Sequence, residues 1–458
     1  MLKRKKKELS SFISPSVLII ISFAGVILTG ALLLMLPIAS RQKIVSSFTD
    51  CLFVATSATC VTGLVTKDTY NYWTTFGQAI ILLLIQIGGL GLITITLFVG
   101  SFLKRKFGFK DLSLATESIS YDSLPEVWTV LRMVVMFTLV VEAIGAIIIT
   151  PEFVNRFGPS GVFRAVFTAV SAYCNAGFDL TGDKVNFVNL IPFQHSPIVL
   201  ITVMSLIVIG GMGVLVWYDL VSSLKQKRSM MLHSSLVFKL TAGLILSGTI
   251  LFLIFEYYNP GTIGNMSFGT KVINSFFQSI TTRTAGFSSV NIGNLFTRTK
   301  VLFCILMFIG AAPGSTAGGI KITTFWVVVM TIWSYLRGRQ DTVISGKRIK
   351  TEVVYRSLAI MILMLGMIFA SAALIFANEN HVQKVSVIDS LFEVFSAAGT
   401  VGLSANLTPT LMASSKYILI LNMFMGRVGL VTFMLSITTL RASRKKNEIL
   451  PEGKIIVG

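Results

Sequence analysis

The sequence has 458 residues, of which 53% are hydrophobic and 13% are charged, and its mean hydropathy is +0.78. A soluble globular protein of this length does not carry so much apolar surface, so the chain is predicted to lie in a lipid bilayer. The formal net charge of +19 does not indicate nucleic-acid binding, because the basic residues fall between apolar segments and not on one domain.

Eight apolar segments are long enough to cross the hydrocarbon core as helices. They cover residues 13–38, 77–102, 126–150, 196–221, 235–258, 300–334, 354–377 and 416–440. The first, although it follows Lys3–Lys7, is too long for the apolar part of a signal peptide. A shorter stretch of about ten apolar residues lies between the first and second of these segments, and likewise between the third and fourth, fifth and sixth, and seventh and eighth. Each short stretch cannot cross the bilayer and is predicted to enter and leave it on one side.

The predicted fold is an all-α polytopic membrane protein, in which four pseudosymmetric repeats of helix, re-entrant pore helix and helix surround a single pore. The repeats cover residues 13–103, 126–222, 235–334 and 353–440, with an intramembrane loop at 310–320. The segments 1–12, 104–125, 223–234, 335–352 and 441–458 are predicted to be cytoplasmic, because they carry most of the Lys and Arg residues. Both termini are therefore placed in the cytoplasm.

One short motif occurs four times, as a Gly flanked by small and hydroxyl residues and followed by Leu or Phe. The glycines are Gly63, Gly177, Gly286 and Gly402, and ten positions before them stand Phe53, Phe167, Phe276 and Phe392. A selectivity filter directs backbone carbonyls at a desolvated cation, and Gly adopts the necessary backbone angles at little cost. A tight turn after a short helix also favours Gly, but four copies in one register favour a filter.

The predicted filter of this cation conductor therefore comprises four short segments. Its residues are Cys60, Val61, Thr62, Gly63, Cys174, Asn175, Ala176, Gly177, Arg283, Thr284, Ala285, Gly286, Gly399, Thr400, Val401 and Gly402.

A second feature is a run of helix breakers in the third repeat, which predicts an intramembrane loop in the ion path, with a merely kinked helix as the alternative. Arg427, near the middle of the last span, would cost roughly 2.5–3.5 kcal/mol there if left alone. It is predicted to hold loop carbonyls and repel cations, or else to form an internal structural pair. The predicted gate residues are Gly310, Ala311, Ala312, Pro313, Gly314, Ser315, Thr316, Ala317, Gly318, Gly319, Lys321 and Arg427.

From about Ser14 to Thr439, the four Gly motifs, the Ile309–Lys321 stretch and the Gly426–Gly429 segment resemble the Trk/Ktr/HKT superfamily of potassium transporters. The short chain is similar to the membrane subunit of bacterial Ktr systems. This resemblance implies K⁺-selective, often Na⁺-stimulated uptake by a homodimer in the bacterial plasma membrane.

The resemblance also implies regulation by a cytosolic ring that binds ATP or ADP. K⁺ is then the substrate, the nucleotide belongs to the ring and not to this chain, and neither a covalent cofactor nor a nucleic-acid partner is expected. Gly63 matches the K⁺-type pattern of the family, whereas the pattern does not require Cys60 or Cys174.

Other polar residues lie beside the predicted filter or within the predicted spans. Arg283 and Glu393 are predicted to form an ion pair beside the filter, and Glu142 is assigned to packing or to a dimer interface. Asp68, Asp179 and Asp183 either concentrate cations at the outer mouth or are ordinary loop acids. The cysteines, which lack metal-ligand spacing, are interpreted as small packing residues; they are Cys51, Cys60, Cys174 and Cys304.

Two other function classes remain open from the sequence alone. A stoichiometric Na⁺/K⁺ or H⁺/K⁺ symporter would use the same membrane architecture. A membrane enzyme is not expected, because His195, His233 and His381 lie in loops or at span ends without a nucleophile or an acid–base constellation.

Overall fold

The computed structural model describes residues 15–91, 127–183 and 185–429. This part of the chain is mostly helical, which confirms the predicted helical membrane architecture. The helices are α1 (Pro15–Met35), α2 (Phe48–Thr59), α3 (Thr69–Tyr72), α4 (Thr75–Leu90), α5 (Val127–Phe157), α6 (Gly161–Tyr173), α7 (Pro197–Met212), α8 (Val214–Gln226), α9 (Leu232–Glu256), α10 (Phe268–Thr281), α11 (Thr297–Phe308), α12 (Ile322–Leu336), α13 (Thr351–Asn380), α14 (Val387–Ala398) and α15 (Ala413–Val428).

Short elements complete the described part. Two strands, β1 (Val343–Ile344) and β2 (Lys347–Arg348), pair antiparallel between α12 and α13. Single 3₁₀ turns lie at Pro37–Ala39, Gly158–Ser160, Ile191–Phe193, Ile292–Asn294 and Thr408–Thr410.

Four stretches within the described residues are long and apolar enough to cross a membrane by length and hydropathy: Val17–Met35, Arg132–Tyr173, Leu232–Glu256 and Thr351–Asn380. The predicted span at 196–221 is instead two helices, α7 and α8, bent by 90°. Gly213 between them has a φ of +81°, and this left-handed conformation cannot continue a right-handed helix. The predicted spans 77–102 and 416–440 extend into residues that the structure does not describe.

Four short helices, α2, α6, α10 and α14, each lead into one of the repeated Gly motifs and lie inside the bundle. The motif phenylalanines Phe53, Phe167 and Phe392 are fully buried. By contrast, the long flanking helices expose large apolar side chains such as Ile21, Ile147 and Ile362. An exposed apolar surface of this kind suits contact with lipid and not with water.

Two ion pairs join successive repeats. Lys300 Nζ on α11 lies 2.7 Å from Asp389 Oδ1 on α14, and Lys416 Nζ on α15 lies 2.8 Å from Asp50 Oδ1 on α2. Both aspartates occupy the first turn of a pore helix, where the helix dipole favours a carboxylate. The second pair connects the last repeat to the first, so the four repeats close into a ring.

Candidate functional site

The backbone after each pore helix is left-handed at the repeated glycine. The φ angles are +101° at Gly63, +69° at Gly177, +78° at Gly286 and +94° at Gly402. Two residues earlier φ is again positive, at Val61, Asn175, Thr284 and Thr400. Left-handed backbone lets a short segment turn its carbonyl groups toward an axis, and Gly adopts it without steric cost.

The four glycines face one another around that axis. A Cβ atom added to any of them would lie less than 3.0 Å from the carbonyl oxygen before the glycine of the next repeat. These neighbouring oxygens belong in turn to Ala176 beside Gly63, Ala285 beside Gly177, Val401 beside Gly286 and Thr62 beside Gly402. The contacts run from the first repeat to the second, third and fourth and back to the first. The glycines and the carbonyls therefore form a closed ring without space for side chains.

Side-chain anchoring of the ring differs between repeats. The Ser57 hydroxyl accepts a hydrogen bond of 3.0 Å from the Gly63 N–H, and Ser396 accepts one of 3.0 Å from Gly402. In the second repeat the corresponding Ser171 hydroxyl is buried and has no hydrogen-bond partner within the described part of the chain, and the third repeat has Ile280 there. The first and fourth filter segments are therefore held in the same way, while the other two are held differently.

Two cavities lie on opposite sides of the glycine ring. The outer vestibule, of about 430 Å³, is lined by all four glycines together with Asp68 and Asp179. The inner cavity, of about 330 Å³, is lined by Tyr173, the loop residues 313–317, Lys321 and Arg427. The ring is thus the constriction between two cavities, which is the arrangement expected of an ion path.

The two outer acids have different surroundings. Asp68 caps α3, because its carboxylate accepts from the N–H groups of Tyr70 at 3.1 Å and Asn71 at 2.7 Å, and from Phe187 N–H at 2.7 Å. Burial raises the pKa of Asp179 to about 6; hydrogen bonds from Thr181 act in the opposite direction, and the nearby Asp68 carboxylate raises it further. Asp179 is therefore mostly ionised at pH 7 and mostly neutral at pH 5.

We expect Asp179 to make cation uptake pH-dependent. As the pH falls from 7 to 5, protonation removes a negative charge from the outer vestibule, and the K⁺ concentration for half-maximal uptake should rise by about threefold for one charge. Asp179→Asn should show the higher K⁺ concentration for half-maximal uptake at both pH 7 and pH 5. Initial rates of ⁸⁶Rb⁺ uptake test this, with Asp341→Asn on the exposed β-hairpin as the control. A wild-type pH profile in Asp179→Asn would contradict the expectation.

Residues 309–321, between α11 and α12, form a non-helical loop. Its two ends are joined, because Gly310 N–H donates to Ile320 O at 2.8 Å and Ile309 pairs with Ile320 in a parallel bridge. Within the loop, Lys321 Nζ donates to Ala317 O at 2.6 Å. The loop is therefore a closed structural unit and not a strained helix.

This loop packs against the segments that carry the repeated glycines. Ala312 N–H donates to Gly211 O and Gly319 N–H donates to Gly426 O, both at 3.1 Å. The Thr316 hydroxyl donates to Tyr173 O at 3.2 Å, and a Cβ on Gly318 would overlap the side chain of Thr400 in the fourth filter segment. The loop consequently touches the second and fourth repeats at once.

Arg427 links the loop to the first repeat. Its guanidinium donates to the carbonyl oxygens of Thr316 in the loop and Gly88 at the end of α4. Among the described residues, no carboxylate forms an ion pair with Arg427. Its positive charge therefore remains uncompensated by an acid at the wall of the inner cavity.

The predicted pair between Arg283 and Glu393 is wrong. Both side chains are buried, but Glu393 accepts from the Ser404 hydroxyl at 2.6 Å, from Ala405 N–H at 3.0 Å and from the Thr408 hydroxyl at 2.5 Å. The polar loop of its own repeat thus satisfies the carboxylate, and no cation is needed.

The four cysteines are all buried and free of disulfides, as expected of packing residues.

Glycines of the second helices bring those helices against the ends of the pore helices. A Cβ on Gly88, Gly210 or Gly426 would overlap a carbonyl oxygen of Thr59, Tyr173 or Ala398, respectively. Glycines in the middle of a span let helices pack closely or bend, and at these three positions the helices pack closely. It gave no partner for Glu142, which the structure places beside Gln86 and Cys174.

A closed ring of backbone carbonyls between two cavities, within a helical membrane protein, defines a membrane transport protein. Residues 3–449 match the family described as "TrkH: Cation transport protein". The chain belongs to this family, whose members are transporters and not enzymes.

Several relatives resemble the chain along nearly its full length. Ktr system potassium uptake protein B of Bacillus subtilis is 38% identical over 448 residues, covering 97% of each chain. Potassium/sodium uptake protein NtpJ of Enterococcus hirae is 36% identical over 455 residues, covering 99% of each. The crystal structure of the potassium transporter TrkH from Vibrio parahaemolyticus superposes with a TM-score of 0.71 at 14% identity, covering 92% of this chain and 84% of that one. The predicted resemblance to Trk and Ktr proteins is confirmed.

Proposed function

We propose that this chain takes up K⁺ across the bacterial plasma membrane through a K⁺-selective, gated, channel-like pore, as the membrane subunit of a Ktr-type system. The observation that carries the proposal is the closed ring formed by Gly63, Gly177, Gly286 and Gly402 with the carbonyls of their neighbours. The names of the two bacterial relatives, both potassium uptake proteins, support K⁺ as the substrate.

In this proposal K⁺ enters the outer vestibule, sheds water at the ring and is coordinated by backbone carbonyls of the four filter segments. The buried hydroxyls of Thr62, Thr284 and Thr400 have no hydrogen-bond partner among the described residues. They add oxygen atoms next to the carbonyls. The ion then passes into the inner cavity, where the loop and Arg427 oppose its exit.

The loop between α11 and α12 is the proposed gate. It lies beneath the filter, and Arg427 holds it through the Thr316 carbonyl while placing a positive charge by the path. Lys321 adds a second charge, bonded to Ala317 O. Because α12 begins at Ile322, directly after the loop, movement of the cytoplasmic part of α12 is able to withdraw the loop and leave the filter unchanged.

The proposed assembly is a homodimer in lipid with a cytosolic ring that carries ATP or ADP. The Ktr system names of relatives support a partner component. On this chain the β-hairpin region between α12 and α13 exposes Arg337, Arg339, Lys347 and Arg348, a basic surface suited to an acidic partner. The second basic segment, Lys104 to Lys110, lies outside the described residues. Both termini are placed on the same cytoplasmic side.

The alternative function is a stoichiometric symporter, and the name of the Enterococcus hirae relative, a potassium/sodium uptake protein, is the reason to test it. Reversal potentials of the purified protein in liposomes distinguish the two functions. A selective pore should reverse near the K⁺ equilibrium potential, and added Na⁺ or pH gradients should hardly shift it. A reversal potential that follows a fixed ratio of Na⁺ or H⁺ to K⁺ would instead establish the symporter.

A further inference from the structure

Glu142 on α5 is a buried acid inside a membrane helix, and its side chain is 5% exposed. Among the described residues, no Lys or Arg forms an ion pair with it. An acid at this depth is costly, so it usually has a specific partner or task. The mechanism proposed above does not use it.

Its contacts lead to the second filter segment. Gln86 Nε2 on α4 donates to Glu142 Oε2 at 3.3 Å. The thiol of Cys174, the first residue of that segment, lies 3.7 Å from Glu142 Oε1 and 3.9 Å from Gln86 Oε1. The thiol is a weak donor, and it lies here between two acceptors.

One turn earlier on α5, Thr138 contacts Tyr173, the last residue of α6, which directly precedes that segment. Its hydroxyl donates to Tyr173 Oη at 3.0 Å. Residues four apart share one face of a helix, so Thr138 and Glu142 together contact two consecutive side chains, Tyr173 and Cys174. The α5 helix thereby contacts both the end of α6 and the start of the second filter segment.

The loop and α4 also pack against this part of the chain. The Tyr173 carbonyl accepts from the Thr316 hydroxyl of the loop at 3.2 Å, and a Cβ on Gly89 would lie 2.5 Å from Cys174 Sγ. Rotation of the Cys174 side chain toward α4 or α5 therefore requires displacement of α4 or of Glu142. A shift of Cys174 would reorient the peptide groups that follow it toward Gly177.

We infer that Glu142 and Gln86 are positioning residues for ion selection, which hold Cys174 and so set the carbonyl geometry of the second filter segment. The inference rests on the proposed filter. Neither side chain touches the ion. Loss of such an outer-shell partner lowers the affinity of a metal site by about tenfold or more.

The test uses the full chain in liposomes and measures the dependence of ⁸⁶Rb⁺ uptake on K⁺ and Na⁺ concentration. Glu142→Leu and Gln86→Leu should each raise KM for K⁺ and lower the K⁺ preference over Na⁺ by about tenfold, with a much smaller change in maximal rate. Glu142→Gln, which keeps both the shape and a hydrogen-bonding carbonyl, should restore most of the preference.

Glu379→Gln is the control, because it changes an equally buried acid away from the filter. Glu379 accepts from Met412 N–H at 2.9 Å and from Gln383 Nε2 at 2.7 Å, so its loss should lower thermal stability and leave ion preference unchanged. Wild-type KM and ion preference in folded Glu142→Leu and Gln86→Leu would overturn the inference, as would Glu142→Gln behaving like Glu142→Leu.

Gly177→Ser, measured in parallel, separates this inference from the proposed filter. If Gly177→Ser leaves ion competition unchanged, the second segment takes no part in ion selection and the positioning role fails with it; the proposed filter as a whole fails only if the Ser variants of all four glycines leave competition unchanged. If Gly177→Ser changes ion competition while Glu142→Leu and Gln86→Leu do not, the filter stands and only the positioning role is lost.

Discussion

Replacing Gly402 by Ser is expected to lower the discrimination between K⁺ and Na⁺ by about tenfold or more, because a side chain at left-handed φ costs about 1–2 kcal/mol. The φ of Gly402 is +94°, and an added Cβ would overlap the Thr62 carbonyl of the first repeat. Either that carbonyl or the fourth segment must move, and both belong to the ring. Competition of Na⁺ with ⁸⁶Rb⁺ uptake measures the change.

The matched control is Gly366→Ser on α13. An added Cβ there has nothing within 4 Å, so ion competition should remain that of the wild type. Ser at Gly63, Gly177 or Gly286 should act as it does at Gly402, since each glycine abuts the next repeat. Unchanged competition in all four variants would refute a shared filter.

Arg427→Ala is expected to raise basal K⁺ flux by about tenfold or more, because hydrogen bonds from a charged donor are worth about 1.5–3 kcal/mol each. The change frees the carbonyls of Thr316 and Gly88 and removes a positive charge from the inner cavity. Uptake should depend less on the cytosolic partner and should keep its K⁺ preference, as the filter is untouched. Flux with and without the partner measures this.

Arg298→Ala serves as the control for Arg427→Ala. Arg298 also donates to a backbone carbonyl, that of Phe255, at 2.7 Å, but it is exposed and outside the ion path. A partial deletion within Ala311–Gly318 should reproduce the effect of Arg427→Ala. Wild-type basal flux with full regulation in both gate variants would place the gate elsewhere.

Features that depend on local backbone geometry were accessible from the sequence. The four motif positions combine a left-handed φ with a neighbouring carbonyl that a Cβ would overlap, so they demand Gly and the pattern is visible in the residues themselves. The breaker-rich run at 309–321 is likewise local, because neither Pro nor clustered Gly supports a helix. The bend at Gly213 has an equally local cause, but the Gly-Gly-Met-Gly sequence also suits a closely packed straight helix.

Features that depend on contacts between distant segments were not accessible. An ion pair between Glu393 and Arg283 is predicted because each side chain is costly to bury alone. The Glu393 carboxylate instead accepts hydrogen bonds from Ser404 and Thr408, in the loop that follows the glycine motif of its own repeat. The partner of Glu142 is Gln86, 56 residues earlier, and no periodicity relates the two. A charged residue within an apolar segment shows that it needs a polar partner. The sequence does not show which group is that partner, because this depends on how distant segments pack.

The ion pair between Lys416 and Asp50 closes the four repeats within one polypeptide, and this has a genetic consequence. In a pore assembled from four separate subunits, a single altered subunit enters most of the pores and the defect is dominant. Here all four filter segments come from one chain, so hybrid pores do not form. Cells that produce both wild-type and Gly402→Ser chains should retain selective uptake in proportion to the wild-type share, and filter defects should be recessive.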